Sequence, residues 1–318
     1  MAGRNWMIKL IIKIFIFCLL LCCANTVFAA KKPLIVVLDW FVNPDHAPLV
    51  IAEEKGFFKE NGIAVKLINP ADPSDAEKLV AAGKADIGVS YQPYVMAAID
   101  QGLPLVRIGT LVNSPLNAIT VLSKSSIQQI KDLRGKRIGY SSSDLDKLIF
   151  STVLSNAGLT LTDVQWINVH YGLTQALLSG NIDAAVGMMR NVEPVELELS
   201  GHQVRVFYPE DYGVPAYDEL VYIANKNKAN DPRLSSFLRA VQSATAYLKK
   251  HPQLMWEAFA KAYPENNNAF NEKSWTETIP YFADEPMAID ENRYEKYNQF
   301  LFNHKLIQRP IPLNRYAP

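Results

Sequence analysis

A two-lobed α/β fold is predicted from three features of the chain. Short apolar runs of strand length alternate with helical stretches of about three turns, the pattern of a mainly parallel sheet covered by helices. The wording repeats: Leu79-Val-Ala-Ala-Gly83-Lys-Ala-Asp86-Ile-Gly-Val89 is echoed by Leu177-Leu-Ser-Gly180-Asn-Ile-Asp183-Ala-Ala-Val186, each a helix ending at glycine with an aspartate before the next strand. Two further extended stretches, 118–123 and 219–224, suit the outgoing and returning passages between two such halves. The 318 residues accommodate two lobes at about 150 residues each.

The first half opens with Leu34–Leu38, an apolar run that fits a strand buried on both faces. A polar loop covers 39–45, and a helix over 48–55 stops at Gly56. Strand 65–68, loop 69–74 and helix 75–82 follow; then strand 87–89, helix 94–101 before Gly102, and strand 106–111. Glycine ends these helices because it adopts the left-handed conformation of a helix stop without strain. The pattern restarts after Ile127 with a short helix closed at Gly135 and strand 137–140. Ser141–Asp144 supplies caps for a helix to Asn156. Strand 164–169, helix 173–178 and strand 182–186 come next. A helix opens at 191–194 with Pro194 in its first turn, and strand 204–208 ends the half. Beyond Asp231-Pro232 the chain reads as helices 234–250, 256–262, 275–281 and 293–303, with a Pro-rich extended tail over 309–318. Lobe one is therefore expected at 34–121 plus 223–318, and lobe two at 122–222.

The formal net charge is +0, with 49% apolar and 20% charged residues, which excludes disorder, collagen and coiled coil. Basic residues form no stripe, so nucleic acid is not an expected partner. Residues 1–29 carry Arg4, Lys9 and Lys13 and no acid, then an apolar stretch from Ile14 to Cys23 and the small-residue exit Val27-Phe28-Ala29. That is the anatomy of a secretory signal peptide. All three cysteines, Cys18, Cys22 and Cys23, lie in it, so the mature chain is expected to lack disulfides, thiolate nucleophiles and zinc–thiolate sites.

In parallel sheets ligands bind beyond the carboxyl ends of the strands, between the halves. The loops there offer Asp39, Trp40, Asn43 and His46; Tyr91 and Gln92, with Ser90 and Tyr94; Ser141, Ser142 and Ser143; Asn191 and Glu193; and Tyr217 and Glu219 before the returning passage. Aromatic faces mixed with amides and carboxylates suit a flat, nitrogen-rich heterocycle, stacked by rings while carboxylates accept from its amino groups. Other roles fit the same residues: Asp39 or Asp45 as a helix cap, Trp40 and Tyr91 as core, Ser141–Asp144 as a cap, Glu193 as a solvated first-turn carboxylate, Arg190 as an ion-pair partner. The five histidines are scattered without metal-ligand spacing, and there is no nucleophile elbow, phosphate loop or dinucleotide fingerprint.

Several stretches carry a resemblance. They are Leu38-Asp-Trp-Phe-Val-Asn-Pro-Asp-His-Ala-Pro-Leu49, Glu53-Glu-Lys-Gly-Phe-Phe58, Asn69-Pro-Ala-Asp-Pro-Ser-Asp75, Gly83-Lys-Ala-Asp-Ile-Gly88, Leu133-Arg-Gly-Lys-Arg-Ile-Gly-Tyr140 and Gly213-Val-Pro-Ala-Tyr-Asp-Glu-Leu-Val221. From Leu34 to Asn303 the chain resembles the substrate-binding proteins of ABC importers in the family that also contains the thiamin pyrimidine synthases. The first and last stretches look specific to its thiamin-pyrimidine branch. The resemblance implies a periplasmic-binding-protein type II fold with a ligand cleft between the lobes. It implies a monomeric periplasmic receptor, with no cofactor or metal, that captures a formylaminopyrimidine or hydroxymethylpyrimidine type of thiamin precursor. The partner is then an ABC permease with its ATPase. In that reading Trp40 and Tyr91 stack the ring, and Asp39, Asn43 and Glu193 bond its nitrogens. The synthases use pyridoxal phosphate, iron, a Schiff-base Lys and a donor His; here Ser90 and Tyr94 stand in those two places, and a serine cannot form the imine. A synthase-like enzyme and a receptor for another solute, such as a sulfonate, are the alternatives.

Overall fold

Strand and helix alternate as the sequence predicts in the computed structural model, which describes residues 32–72, 74–141 and 144–317. The expected leader at 1–29, with its cysteines, lies outside the described residues, as do Ser142 and Ser143. The chain runs through β1 (Leu34–Val37), α1 (Ala47–Glu54), the short α2 (Phe57–Glu60), β2 (Val65–Ile68), α3 (Asp75–Ala81), β3 (Ile87–Tyr91), α4 (Gln92–Asp100) and β4 (Leu105–Val112). It continues with β5 (Asn117–Leu122), β6 (Arg137–Tyr140), α5 (Asp144–Asn156), β7 (Gln165–Asn168), α6 (Leu173–Leu178), β8 (Ala184–Met189), α7 (Glu193–Leu199) and β9 (Val204–Phe207). The return is β10 (Leu220–Asn225), then α8 (Pro232–Lys250), α9 (Pro252–Ala262), α10 (Ala269–Thr278), α11 (Glu291–Asn303) and α12 (Leu313–Tyr316).

The strands form two five-stranded sheets with matching order, β2-β1-β3-β10-β4 and β7-β6-β8-β5-β9. β1 pairs in parallel with β2 and β3, and β6 with β7 and β8. Each passage strand inserts antiparallel into the sheet it reaches: β5 between β8 and β9, β10 between β3 and β4. The expected lobe boundaries at 121/122 and 222/223 fall inside β5 and β10. Each of these strands is hydrogen-bonded along its length into a single sheet, so sheet membership puts the change-overs at 113–116 and 208–219.

The C-terminal helices cover the first sheet. Phe58 stacks on Phe237 of α8 at 5.6 Å, and Tyr222 of β10 meets the same ring edge-on at 5.1 Å. Some expectations differ in detail. Helix 275–281 is α10, which begins at Ala269 because Asn268 caps it by accepting from the Asn271 amide (2.9 Å); Pro280 lacks the N–H to continue it, and Ile279–Tyr281 tightens to a 3-10 turn. The tail is not wholly extended: Leu313–Tyr316 forms a turn of helix whose buried Tyr316 packs on Tyr294. The strand read at 182–186 is β8 at 184–189, and Ile182 instead fills the space beside Gly139.

Candidate functional site

The loops that follow β1, β3, β6, β7 and β8 line one cleft of about 240 Å³ between the sheets, completed by residues 266–271 at the start of α10. This is below the roughly 300–1,000 Å³ of drug-sized pockets and suits a single-ring molecule. At the cleft floor β8 bulges at Gly187, whose φ of +93° a side chain would strain.

Asp39 stands at the centre of a buried relay. Its carboxylate accepts from the Tyr91 hydroxyl (2.8 Å) and from His46 Nε2 (2.9 Å). His46 Nδ1 accepts the Asn43 amide (3.2 Å), which places the ring proton on Nε2. Asn43 Oδ1 accepts from the Asp45 amide (2.8 Å) and so caps the turn Pro44–His46. Asp39, Asn43 and Tyr91 line the cleft; His46 is fully buried behind them. Burial, reinforced by Asp39, pushes the Tyr91 hydroxyl well above its ordinary pKa.

The mouth is aromatic. Trp40 meets Tyr171 edge-on at 4.5 Å and Phe41 meets it at 4.9 Å, so a ring from the second half lies against two from the first. Tyr171 follows His170, held at φ 49° with its amide on Asn168 Oδ1 (2.9 Å). Deeper in, Tyr91 and Tyr94 pack edge to face at 5.1 Å, and the Tyr94 hydroxyl bonds Asp146 of α5.

The remaining wall is acidic. Asp45, Glu193 and Glu196 join Asp39 in the lining. Asp45 accepts from Asn191 Nδ2 (2.6 Å) and Thr278 Oγ1 (3.3 Å); burial raises its pKa to about 6 against the pull of His46 and Asn191. Glu193 Oε2 accepts from the Met189 amide (2.8 Å), and burial, with repulsion from Asp45 and Glu196, raises this carboxyl to about 8. Among the described residues that line the cleft there is no Lys, Arg or His, and no group of three or more His, Cys, Asp or Glu is set to hold a metal ion.

Asp39, Trp40, Asn43, Tyr91, Ser141 and Glu193 thus meet at one cleft. Others in the sequence-derived set lie outside its lining. Gln92 is buried, and its Oε1 accepts the Asp218 amide (2.7 Å). Glu219 accepts the amides of Leu116 (2.5 Å) and Asn117 (2.9 Å), joining the two change-over segments, and Tyr217 is buried beside it. Asn191 sits behind Asp45. Arg190 is an ion-pair partner, bidentate to Glu210 at 2.7 and 3.0 Å. Ser90 bonds the buried Glu77 and does not line the cleft. The sequence reading missed Tyr171, though it follows strand 165–168 and the carboxyl-end rule would have nominated it. It also missed Phe270 and Asn271, for which no strand-end rule exists.

Residues 43–254 match the family described as NMT1/THI5 like. A protein of Haemophilus influenzae named for thiamine biosynthesis is 43% identical, covering 97% of this chain and 98% of its own. A 4-amino-5-hydroxymethyl-2-methylpyrimidine phosphate synthase of Legionella pneumophila is 30% identical (91% and 93%). The formylaminopyrimidine-binding protein of Halalkalibacterium halodurans is 35% identical (68% and 66%). In structure, the periplasmic aliphatic sulphonate binding protein of Escherichia coli superposes with a TM-score of 0.70 at 16% identity, covering 91% of this chain and 92% of that one.

Proposed function

Because the chain belongs to the NMT1/THI5-like family and has the fold of periplasmic binding proteins, we propose that it is the periplasmic receptor of an ABC importer for an aminopyrimidine precursor of thiamin, of formylaminopyrimidine or hydroxymethylpyrimidine type. One observation carries the reading: the described cleft lining holds four carboxyl groups and six aromatic rings without a cation. A sulfonate brings a full negative charge, which that lining repels and leaves unpaired. An aminopyrimidine brings a flat ring for the aromatics and amino protons for the carboxylates. Glu193, protonated up to about pH 8, can also donate to a ring nitrogen while accepting from the neighbouring amino group.

The synthase alternative has relatives behind it, but the residues do not fit pyridoxal phosphate. The position of its imine-forming Lys is Ser90, whose hydroxyl is held by Glu77, and no described cation lines the cleft to meet a phosphate. The receptor would deliver its ligand to a membrane permease driven by an ATPase; no described helix is long and apolar enough to cross a membrane itself.

The test is a melting-temperature and calorimetry panel of formylaminopyrimidine, hydroxymethylpyrimidine, alkanesulfonates and nitrate. A ligand selective for the folded state raises the melting temperature as RT ln(1 + [L]/Kd). A shift with the pyrimidines alone is expected; a shift with a sulfonate and none with the pyrimidines overturns the assignment. Trp40→Ala is expected to weaken pyrimidine binding by about 1–3 kcal/mol through loss of a ring face, while far-ultraviolet circular dichroism stays unchanged. Unfolding of Trp40→Ala would instead make Trp40 part of the core.

A further inference from the structure

Asn191 stands between the cleft and the seam where the two halves meet. It precedes α7, on the second-sheet side, and its Nδ2 donates to Asp45 Oδ1 (2.6 Å) and Thr278 Oγ1 (2.6 Å), both on the first-sheet side. All three residues are buried, at 2%, 3% and 0% exposure. The bonds run from protein atom to protein atom, and Asn191 and Thr278 are not part of the cleft lining. We propose that Asn191 is a latch, a positioning residue that holds the halves together over the cleft through Asp45 and Thr278, without touching the ligand. This deepens the receptor reading and rests on it, but not on which molecule is bound.

Two features make these bonds a latch rather than ordinary packing. The amide is half satisfied: Asn191 Oδ1 is buried with no hydrogen-bond partner among the described residues. Closing gives the donor end two bonds and takes water from the acceptor end, so the unmet acceptor subtracts from the gain without cancelling it, and the contact can release as well as hold. The latch also shares a group with the ligand site. Asp45 accepts from Asn191 and Thr278 on one side and lines the cleft beside Glu193 on the other. A ligand donor that engages Asp45 therefore acts on the carboxyl that holds the latch. Because only the closed form binds fully, apparent affinity scales with the closed fraction, and the latch sets it.

The experiment reads lobe separation by small-angle X-ray scattering on the ligand-free full chain, for the wild type, Asn191→Ala and Thr278→Val. Both variants are expected to give a larger radius of gyration than the wild type, and both to raise the Kd for the best ligand of the panel by the factor by which the closed fraction falls, about tenfold for a drop from nearly full closure to one tenth. Thr278→Val keeps the shape of the side chain and gives the reading if Asn191→Ala fails to fold. An unchanged radius in whichever variants fold overturns the proposal. So does a higher Kd for Asn191→Ala at unchanged radius, which makes Asn191 a ligand contact. The scattering uses no pyrimidine, so its outcome stands apart from the identity of the ligand.

Discussion

Asp218→Ala is expected to destabilise the protein by about 3–5 kcal/mol, the cost of leaving buried partners of a carboxylate unpaired. Asp218 is 1% exposed and collects a hydroxyl from Thr110 of β4 (2.7 Å), the phenol of Tyr294 (2.5 Å) and the guanidinium of Arg293 on α11. Arg293 also donates to the Asn113 carbonyl (2.7 Å), so one cluster fixes both change-over segments against the C-terminal helices. Removing the carboxylate strands a partly buried cation and two hydroxyls at once. Asp218→Asn, which keeps one acceptor, is expected to lose less. Urea unfolding checks both, since the midpoint falls with stability while the slope is kept. A loss under about 1 kcal/mol for Asp218→Ala would reduce the cluster to the value of an exposed ion pair.

That cluster also explains which part of the site was legible in the sequence. The alternation of apolar runs and glycine-stopped helices depends on local periodicity, and the two sheets follow it strand by strand. The loop after the first strand was readable for the same reason: in a parallel sheet it can only open at the carboxyl end, and Asp39, Trp40 and Asn43 line the cleft. Gln92, Tyr217 and Glu219 carry the same side-chain types as cleft residues and stand beside strand ends too. What separates them is the partner each one finds, and for Gln92 and Glu219 those partners are over a hundred positions away: the Asp218 amide for Gln92, the Leu116 and Asn117 amides for Glu219. No spacing rule encodes such a pairing. Phe270 and Asn271 reach the cleft from the opposite direction, on the first turn of a helix that the pattern starts only at Trp275.

Stability is expected to fall by several kcal/mol as pH rises from 5 to 8.5, because buried carboxyls, Asp45, Glu77, Glu193 and Glu219 among them, hold protons that the unfolded chain releases. Burial raises Glu219 from 4.5 to about 7, although the two amides, Tyr217 and Arg190 favour its charged form. Between those values the folded state binds more protons than the unfolded state. Its advantage is therefore full below pH 4.5, declines through the window and is gone above 7; at 1.36 kcal/mol per unit Glu219 alone accounts for about 3 kcal/mol. Asp45 acts with the same sign up to about 6, and Glu193 up to about 8. Asp72, Asp163, Asp183 and Asp231 have lowered values and so act with the opposite sign, but only at more acid pH, outside this window. Urea midpoints at pH 5, 6, 7 and 8.5 give the curve. Glu219→Gln is expected to flatten it below 7, and Glu193→Gln to remove the part between 7 and 8. A wild-type protein equally stable at pH 5 and 8.5 would mean that these carboxyls are solvated.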